Sequence, residues 1–163
     1  PEVMGSRELL SQALANLLDN AFKYGHLPPS ENHDGSIIPR IEVKVAPRPG
    51  GGALLTVSDN GPGVPVADRD RILNRFVRLE QSRSTQGSGL GLSMVSAIVN
   101  FHDGNLTIGE GLERPATGEG ELATAAGLGV RIAFPAPPKT RTSGAAKGSR
   151  HDAGSDSPCV QSP

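Results

Sequence analysis

Leu10–Gly25, LSQALANLLDNAFKYG, carries two patterns in one segment. Leu10, Leu14, Leu17, Leu18 and Ala21 recur at helical spacing and predict the single buried stripe of an amphipathic helix. The other side is unusual. At about 100° per residue, Gln12, Asn16, Asp19, Asn20 and Lys23 share one arc nearly opposite that stripe. Asn and Asp are mediocre helix formers, so helix propensity does not account for them. Amide oxygens with one ammonium suit a hydrated Mg²⁺ and the phosphates that accompany it. Such an ion prefers hard oxygen ligands and keeps several waters, while Lys23 is placed to neutralise a phosphate. A polar face that only caps loops and meets water is the plain alternative.

Outward from this helix, the pattern changes period. Ile41, Val43 and Val45 alternate with Glu42 and Lys44 as in a half-buried strand, and ALLTVSD, 53–59, continues as a second. With APRPGGG between them, 41–58 is expected to be a hairpin with a longer loop. A short helical region is expected around Ile72, Leu73 and Phe76, and a second helix with Val95, Ile98 and Val99 inside. NLTIG and VRIAFP are expected to be two more strands. Helix, strand pair, two helices, strand pair is an α+β order: helices on one face of a mixed, mainly antiparallel sheet.

Bulk properties bound the partners. At 163 residues one domain is expected, and a net charge of -1 gives no electrostatic case for nucleic acid or an anionic membrane surface. No apolar run reaches the roughly 20 residues that span a bilayer, and the first residues lack the pattern of a signal peptide. The single cysteine, Cys159, excludes an internal disulfide and fits a reducing compartment. Pro1 is not an initiator, and the chain enters its first helix within a few residues, as expected for a segment of something longer. From Pro135 onward Val160 is the only large aliphatic residue, so 136–163 is expected to be a disordered tail behind a domain at 1–135. The glycine-rich stretch 111–128 is expected to be a long loop.

Two further places gather chemistry. In VSDNGPGV, Asp59 ends a strand and is followed by Gly61 and Gly63, which allow a sharp turn and a close ligand approach. A carboxylate held there can accept a hydrogen bond from an exocyclic amino group such as that of adenine; a tight turn is the alternative. GSGLGLS, 87–93, runs into a helix whose N-terminal N–H groups can hold phosphate. Leu92 stands where a G-x-G-x-x-G motif needs its last glycine, and there is no Walker lysine, so Rossmann and P-loop readings fail. A flexible hinge is the alternative here.

In combination and order these motifs resemble the ATP-binding catalytic domain of sensor histidine kinases, a branch of the superfamily of gyrase, Hsp90 and MutL. The resemblance covers about 1–135. NLLDNAFKYG is similar to the N box, DNGPG to the G1 box, RILNRFVRL to the F box and GSGLGLSMVSAIVNFHDGNLTI to the G2 box and its helix. It implies a two-layer α/β sandwich of Bergerat type, with Mg-ATP between the first helix and a lid. Asn20, with Asn16 beside it, would hold Mg²⁺. Lys23 and Tyr24 would contact phosphate or ribose, and Lys23 and Arg78 would assist transfer. Asp59 would read adenine with Gly61 and Gly63, and Gly87, Ser88, Gly89, Leu90, Gly91 and Leu92 would close over the triphosphate.

Hydrolysing relatives carry a glutamate where this chain has Gln12, and an amide is no general base. The resemblance implies transfer of the γ-phosphate to a histidine on a separate dimerisation domain, then signalling to a response regulator, in the cytoplasm, with a parent protein that can be membrane-anchored. None of His26, His33, His102 or His151 has the surroundings of a phosphoacceptor, and each is expected to be structural or solvated. A serine kinase of the anti-sigma type and a non-catalytic ATP-binding remnant are the alternatives. PEVM is expected to be what remains of a first sheet strand.

Overall fold

A computed structural model of the chain describes residues 1–26, 38–74, 77, 89–113 and 126–138. The first helix, α1, runs Arg7–Tyr24. Ser6 opens it: its hydroxyl oxygen accepts the Leu9 N–H at 3.3 Å, satisfying one orphan donor of the first turn. Gly25 ends it, donating its N–H to Ala21 O at 2.8 Å. The buried stripe is Ala13, Leu17 and Ala21, with Leu10, Leu14 and Leu18 partly covered along its edges. Small residues on that stripe let the backbone of α1 lie close to its neighbours.

Strand β1, Ile41–Pro47, pairs antiparallel with β2, Ala53–Asp59, from Ile41 opposite Asp59 to Pro47 opposite Ala53. Two three-residue 3-10 turns, Val66–Asp68 and Arg71–Leu73, stand where a short helix was expected; Ile72 anchors the second in the interior. Pro65 and the Asp/Arg-rich sequence around it give no apolar stripe long enough for an α-helix. Phe76 lies outside the described residues. Helix α2, Gly91–Phe101, buries Val95, Ile98 and Val99, the three residues expected.

Strands β3, Asn105–Glu113, and β4, Ala126–Phe134, complete a sheet of order β1-β2-β4-β3 in which every described ladder is antiparallel. The expected loop 111–128 is thereby corrected at both ends. Gly111–Glu113 and Ala126–Leu128 belong to strands, with an irregularity in register between Glu110 and Glu113. Residues 114–125 lie outside the described residues, as does the tail from 139 on. Pro1–Met4 forms no strand, though Val3 packs on the core.

The core is one layer between helices and sheet. Ala13, Leu17 and Ala21 of α1 and Val95, Ile98 and Val99 of α2 meet Val57, Val130, Ile132 and Phe134 of the two central strands. These branched side chains supply most of the burial, as the scarcity of aromatics requires. His102, just past α2, ties the helices together. Its Nε2 accepts the Ser6 N–H at 3.0 Å and its Nδ1 donates to Ile98 O at 2.7 Å, which fixes the Nδ1-protonated tautomer. This buried histidine is structural, as expected.

Candidate functional site

Asp59 is the last residue of β2 and is buried, with only 5% of its surface exposed. Its Oδ1 accepts two backbone N–H groups, from Gly61 at 2.9 Å and Leu128 at 3.1 Å. Burial pushes the carboxyl pKa up, and the N–H groups of Leu128 and Gly61 pull against that. A carboxylate so placed has one oxygen fixed by the protein and meets a cost for charge that a donor on a ligand would relieve.

Glycines bring the backbone in close around it. A Cβ on Gly25 would stand 2.8 Å from Asp59 Cβ, and one on Gly61 would stand 2.6 Å from Gly25 Cα. The C-terminus of α1 therefore rests directly against the turn after β2. Gly63 has φ 71°, and a Cβ there would stand 2.6 Å from Ala126 O. Gly25, Gly127 and Leu128 belong to this wall and were not among the expected site residues. Their signal was obscured because a backbone N–H has no residue type, and the glycines near 127 read as loop.

The neighbouring Asn60 works on the protein itself. Its Oδ1 accepts the Arg40 N–H at 2.6 Å, its Nδ2 donates to Ile38 O at 3.0 Å, and its own N–H donates to Arg40 O at 3.2 Å. It fixes the entry to β1.

The polar face of α1 meets the beginning of α2. Asn20 is half-buried, and a Cβ on Gly91 would stand 3.3 Å from both its Oδ1 and its Nδ2. One turn earlier, Asn16 Nδ2 donates to Met94 Sδ at 3.3 Å. Leu90, at the N-cap of α2, makes no side-chain cap hydrogen bond among the described residues, and the positive end of that helix lies beside Asn20. Gly89 has φ 70°, the left-handed conformation that favours glycine. Gly91 and Leu92 form the first turn, Leu92 packing on the core.

Lys23 pairs with Asp19 at 2.6 Å on the exposed part of α1, and that hydrogen bond is the main cause holding its ammonium pKa above the ordinary value. Tyr24 is half-buried and Gln12 exposed. Arg78, Gly87 and Ser88 lie outside the described residues. Among the described residues no group of three or more His, Cys, Asp or Glu could hold a metal ion. No described helix is long and apolar enough to cross a membrane.

Two poles result. Asp59, Gly61 and Gly25 form one; Asn16, Asn20 and the N-terminus of α2 form the other. They are joined by the last turn of α1, the five steps from Asn20 to Gly25 rising about 7.5 Å. The first offers a buried hydrogen-bond acceptor, the second neutral amides beside a helix N-terminus.

The family profile described as histidine kinase-, DNA gyrase B-, and HSP90-like ATPase matches residues 5–139. Among curated proteins, the adaptive-response sensory kinase SasA of Thermosynechococcus vestitus is 35% identical over 108 residues, covering 66% of this chain and 26% of SasA. The sensor protein kinase PmrB of Pseudomonas aeruginosa is 38% identical over 111 residues, covering 68% of this chain and 21% of PmrB. The chain thus spans about a quarter of the length of the curated relatives it matches. Among solved structures, the mycobacterial sensor histidine kinase MprB superposes with TM-score 0.64 at 32% identity, covering 82% of this chain and 76% of that one. Full-length ShkA in complex with AMPPNP gives TM-score 0.55 at 26% identity, over 85% of this chain and 24% of that one.

Proposed function

The chain belongs to the family of histidine kinase-, DNA gyrase B- and HSP90-like ATPases, and on that premise we propose that it binds Mg-ATP and donates the γ-phosphate to a histidine on a separate dimerisation domain in two-component signalling. The observation that carries this reading is Asp59: buried, with the N–H groups of Gly61 and Leu128 both on Oδ1. Oδ2 is then the atom that accepts from the adenine amino group, and Gly61 and Gly63 let the ring approach the backbone.

At the other pole, Asn20, with Asn16 beside it, holds the hydrated magnesium, and the N-terminus of α2 from Gly89 to Leu92 takes phosphate oxygens. When bound, the ion neutralises charge on the triphosphate. The protein's own share is to position: the amides of Asn16 and Asn20 add oxygens without adding negative charge. Lys23, drawn off Asp19, and Tyr24 approach phosphate or ribose. Arg78, Gly87 and Ser88 join the triphosphate site on the family resemblance alone. Gln12 is an exposed amide that cannot activate water, which favours transfer over hydrolysis. A response regulator receives the phosphoryl group from the histidine, and the need for ATP favours a cytoplasmic domain.

The test is calorimetric titration of a non-hydrolysable ATP analogue with and without Mg²⁺, with the GTP analogue as control, followed by transfer from labelled ATP to a supplied histidine-bearing domain. Adenine-selective, Mg²⁺-enhanced binding and an acid-labile product are expected. An acid-stable product would indicate a serine kinase, and binding without transfer a nucleotide sensor.

A further inference from the structure

Asn16 and Asn20 lie one turn apart on α1 and meet two residues one turn apart on α2, Met94 and Gly91. A Cβ on Gly91 would stand equally far from Oδ1 and Nδ2 of Asn20, so that contact does not distinguish the two ends of the amide. The contact of Asn16 does. Its Nδ2 donates to Met94 Sδ at 3.3 Å. A thioether sulfur carries lone pairs and no proton, so it can only accept. Turned the other way, the amide would set Oδ1 against the sulfur, two electron-rich atoms with no hydrogen between them. The nitrogen is therefore the end held by α2, and Oδ1, on the opposite side of Cγ, is turned away from Met94.

The backbone of Met94 is well fixed for this contact. Its N–H donates to Leu90 O at 2.9 Å in the first turn of α2, and the next residue, Val95, is fully buried. Met94 itself is 47% exposed, so its side chain lies over Asn16 instead of filling the core. The residue type matters as well. Hydroxyl, thiol, amide, imidazole and indole side chains carry a proton that Oδ1 could accept, and lysine and arginine only donate. Carboxylates only accept, but they add negative charge. Methionine is the neutral side chain that accepts and cannot donate. A leucine would fill the same space without selecting either end of the amide.

A hydrated Mg²⁺ takes oxygen ligands and gains nothing from an amide nitrogen. Two neutral amides on one helix face, beside a helix N-terminus, suit such an ion only when their oxygens are the ends presented. We propose that Met94 is a positioning residue of the nucleotide site: by holding Asn16 through its nitrogen, it leaves Oδ1 as the end offered to Mg²⁺ or to one of its waters. The amide is thus ordered before the nucleotide arrives, and binding does not have to order it. The inference rests on the Mg-ATP reading above.

Two measurements on the whole chain test it, the first without nucleotide. Met4 is the only other methionine, so methyl-labelled methionine gives a Met94 signal that is readily assigned by NMR. A nuclear Overhauser contact from the Asn16 side-chain amide protons to that methyl group is expected. The second is calorimetry on Met94→Leu, which keeps the volume and removes the acceptor. Affinity for the ATP analogue in Mg²⁺ should fall by about 2- to 10-fold, the scale of ordering one side chain on binding. Affinity without Mg²⁺ and the thermal midpoint should stay as in the wild type. In an Asn16→Leu background the same change should have no further effect, which a merely structural role for Met94 would not produce. A missing amide-to-methyl contact, an equal loss with and without Mg²⁺, or a loss that persists without Asn16 would overturn the proposal. A wild type whose nucleotide affinity ignores Mg²⁺ would overturn the Mg-ATP reading and this inference with it. Mg²⁺-enhanced binding that Met94→Leu leaves unchanged would overturn the positioning role alone.

Discussion

The side chain of Asn20 lies against the first residue of α2, so close that a Cβ on Gly91 would stand 3.3 Å from both its amide oxygen and its amide nitrogen. This contact sets a neutral amide beside a helix N-terminus, and one turn earlier on α1 Asn16 donates its amide N–H to Met94 Sδ.

Asn20→Leu keeps the side chain's size and removes its oxygen. Hydrogen bonds to charged groups contribute about 1.5–3 kcal/mol, so affinity for the Mg²⁺-bound ATP analogue should fall by about 10- to 100-fold. Because Asn20 is outside the buried stripe of α1, the thermal midpoint should move little. Calorimetry with and without Mg²⁺ reads both the affinity and its metal dependence. Unchanged values would remove Asn20 from the metal site.

Asp59→Asn separates binding from stability. An amide oxygen can still accept from Gly61 and Leu128, but an amide nitrogen in place of Oδ2 no longer accepts from adenine. ATP affinity should drop strongly, and the preference over GTP should narrow; a variant still selective for ATP would move base recognition elsewhere. Stability should go the other way. Burial raises the Asp59 pKa above its unfolded value. Its favourable contribution is therefore full below the unfolded pKa and lost as pH rises through the raised one. Wild type should lose stability relative to Asp59→Asn across that window, in paired urea titrations at acid and neutral pH. A constant difference between the two proteins would contradict the burial argument.

His102→Leu tests the tie between the helices. It leaves the half-buried Ser6 N–H without its partner, while Ile98 O keeps the backbone N–H of residue 102 at 3.2 Å. An enclosed donor left unpaired costs about 1–3 kcal/mol, and urea denaturation should register a loss on that scale. Phosphorylation of a supplied histidine domain should persist at temperatures where the variant is folded. Loss of transfer by a folded, ATP-binding variant would give His102 a chemical role that its two hydrogen bonds do not suggest.

Much of this was legible in the sequence, and the misses share a cause. Periodicity located α1, α2 and the cores of all four strands, because burial on one face is what those elements need. Val95, Ile98 and Val99 are the clearest case. Asp59 was legible as a carboxylate at a strand end followed by turn glycines. Contacts set by main chain were not legible. The Leu128 N–H on Asp59 and the approach of Gly25 to Gly61 depend on how two segments distant in sequence are brought together. The 3-10 turns around Ile72 read as helix because their few apolar residues cannot distinguish the two. Gly111 and Gly127 carried the loop reading, since glycine in quantity ordinarily signals a loop.

Those glycines lie within strands β3 and β4, and their surroundings give the last prediction. A Cβ on Gly127 or Gly111 would overlap the carbonyl oxygen of Asp59, which is main chain and cannot turn aside. A Cβ on Gly109 would meet only the guanidinium end of Arg131, on an exposed and flexible side chain. Gly127→Ala should therefore cost about 1–3 kcal/mol, the usual scale of overpacking. It should also displace the Leu128 N–H from Asp59 and weaken the ATP analogue with it. Gly109→Ala should be close to neutral, because glycine within a strand is itself unfavourable and alanine recovers backbone entropy. Urea denaturation of the two variants side by side, with calorimetry on each, reads both effects. Equal stabilities would mean that β4 does not pass as close to Asp59 as this packing requires.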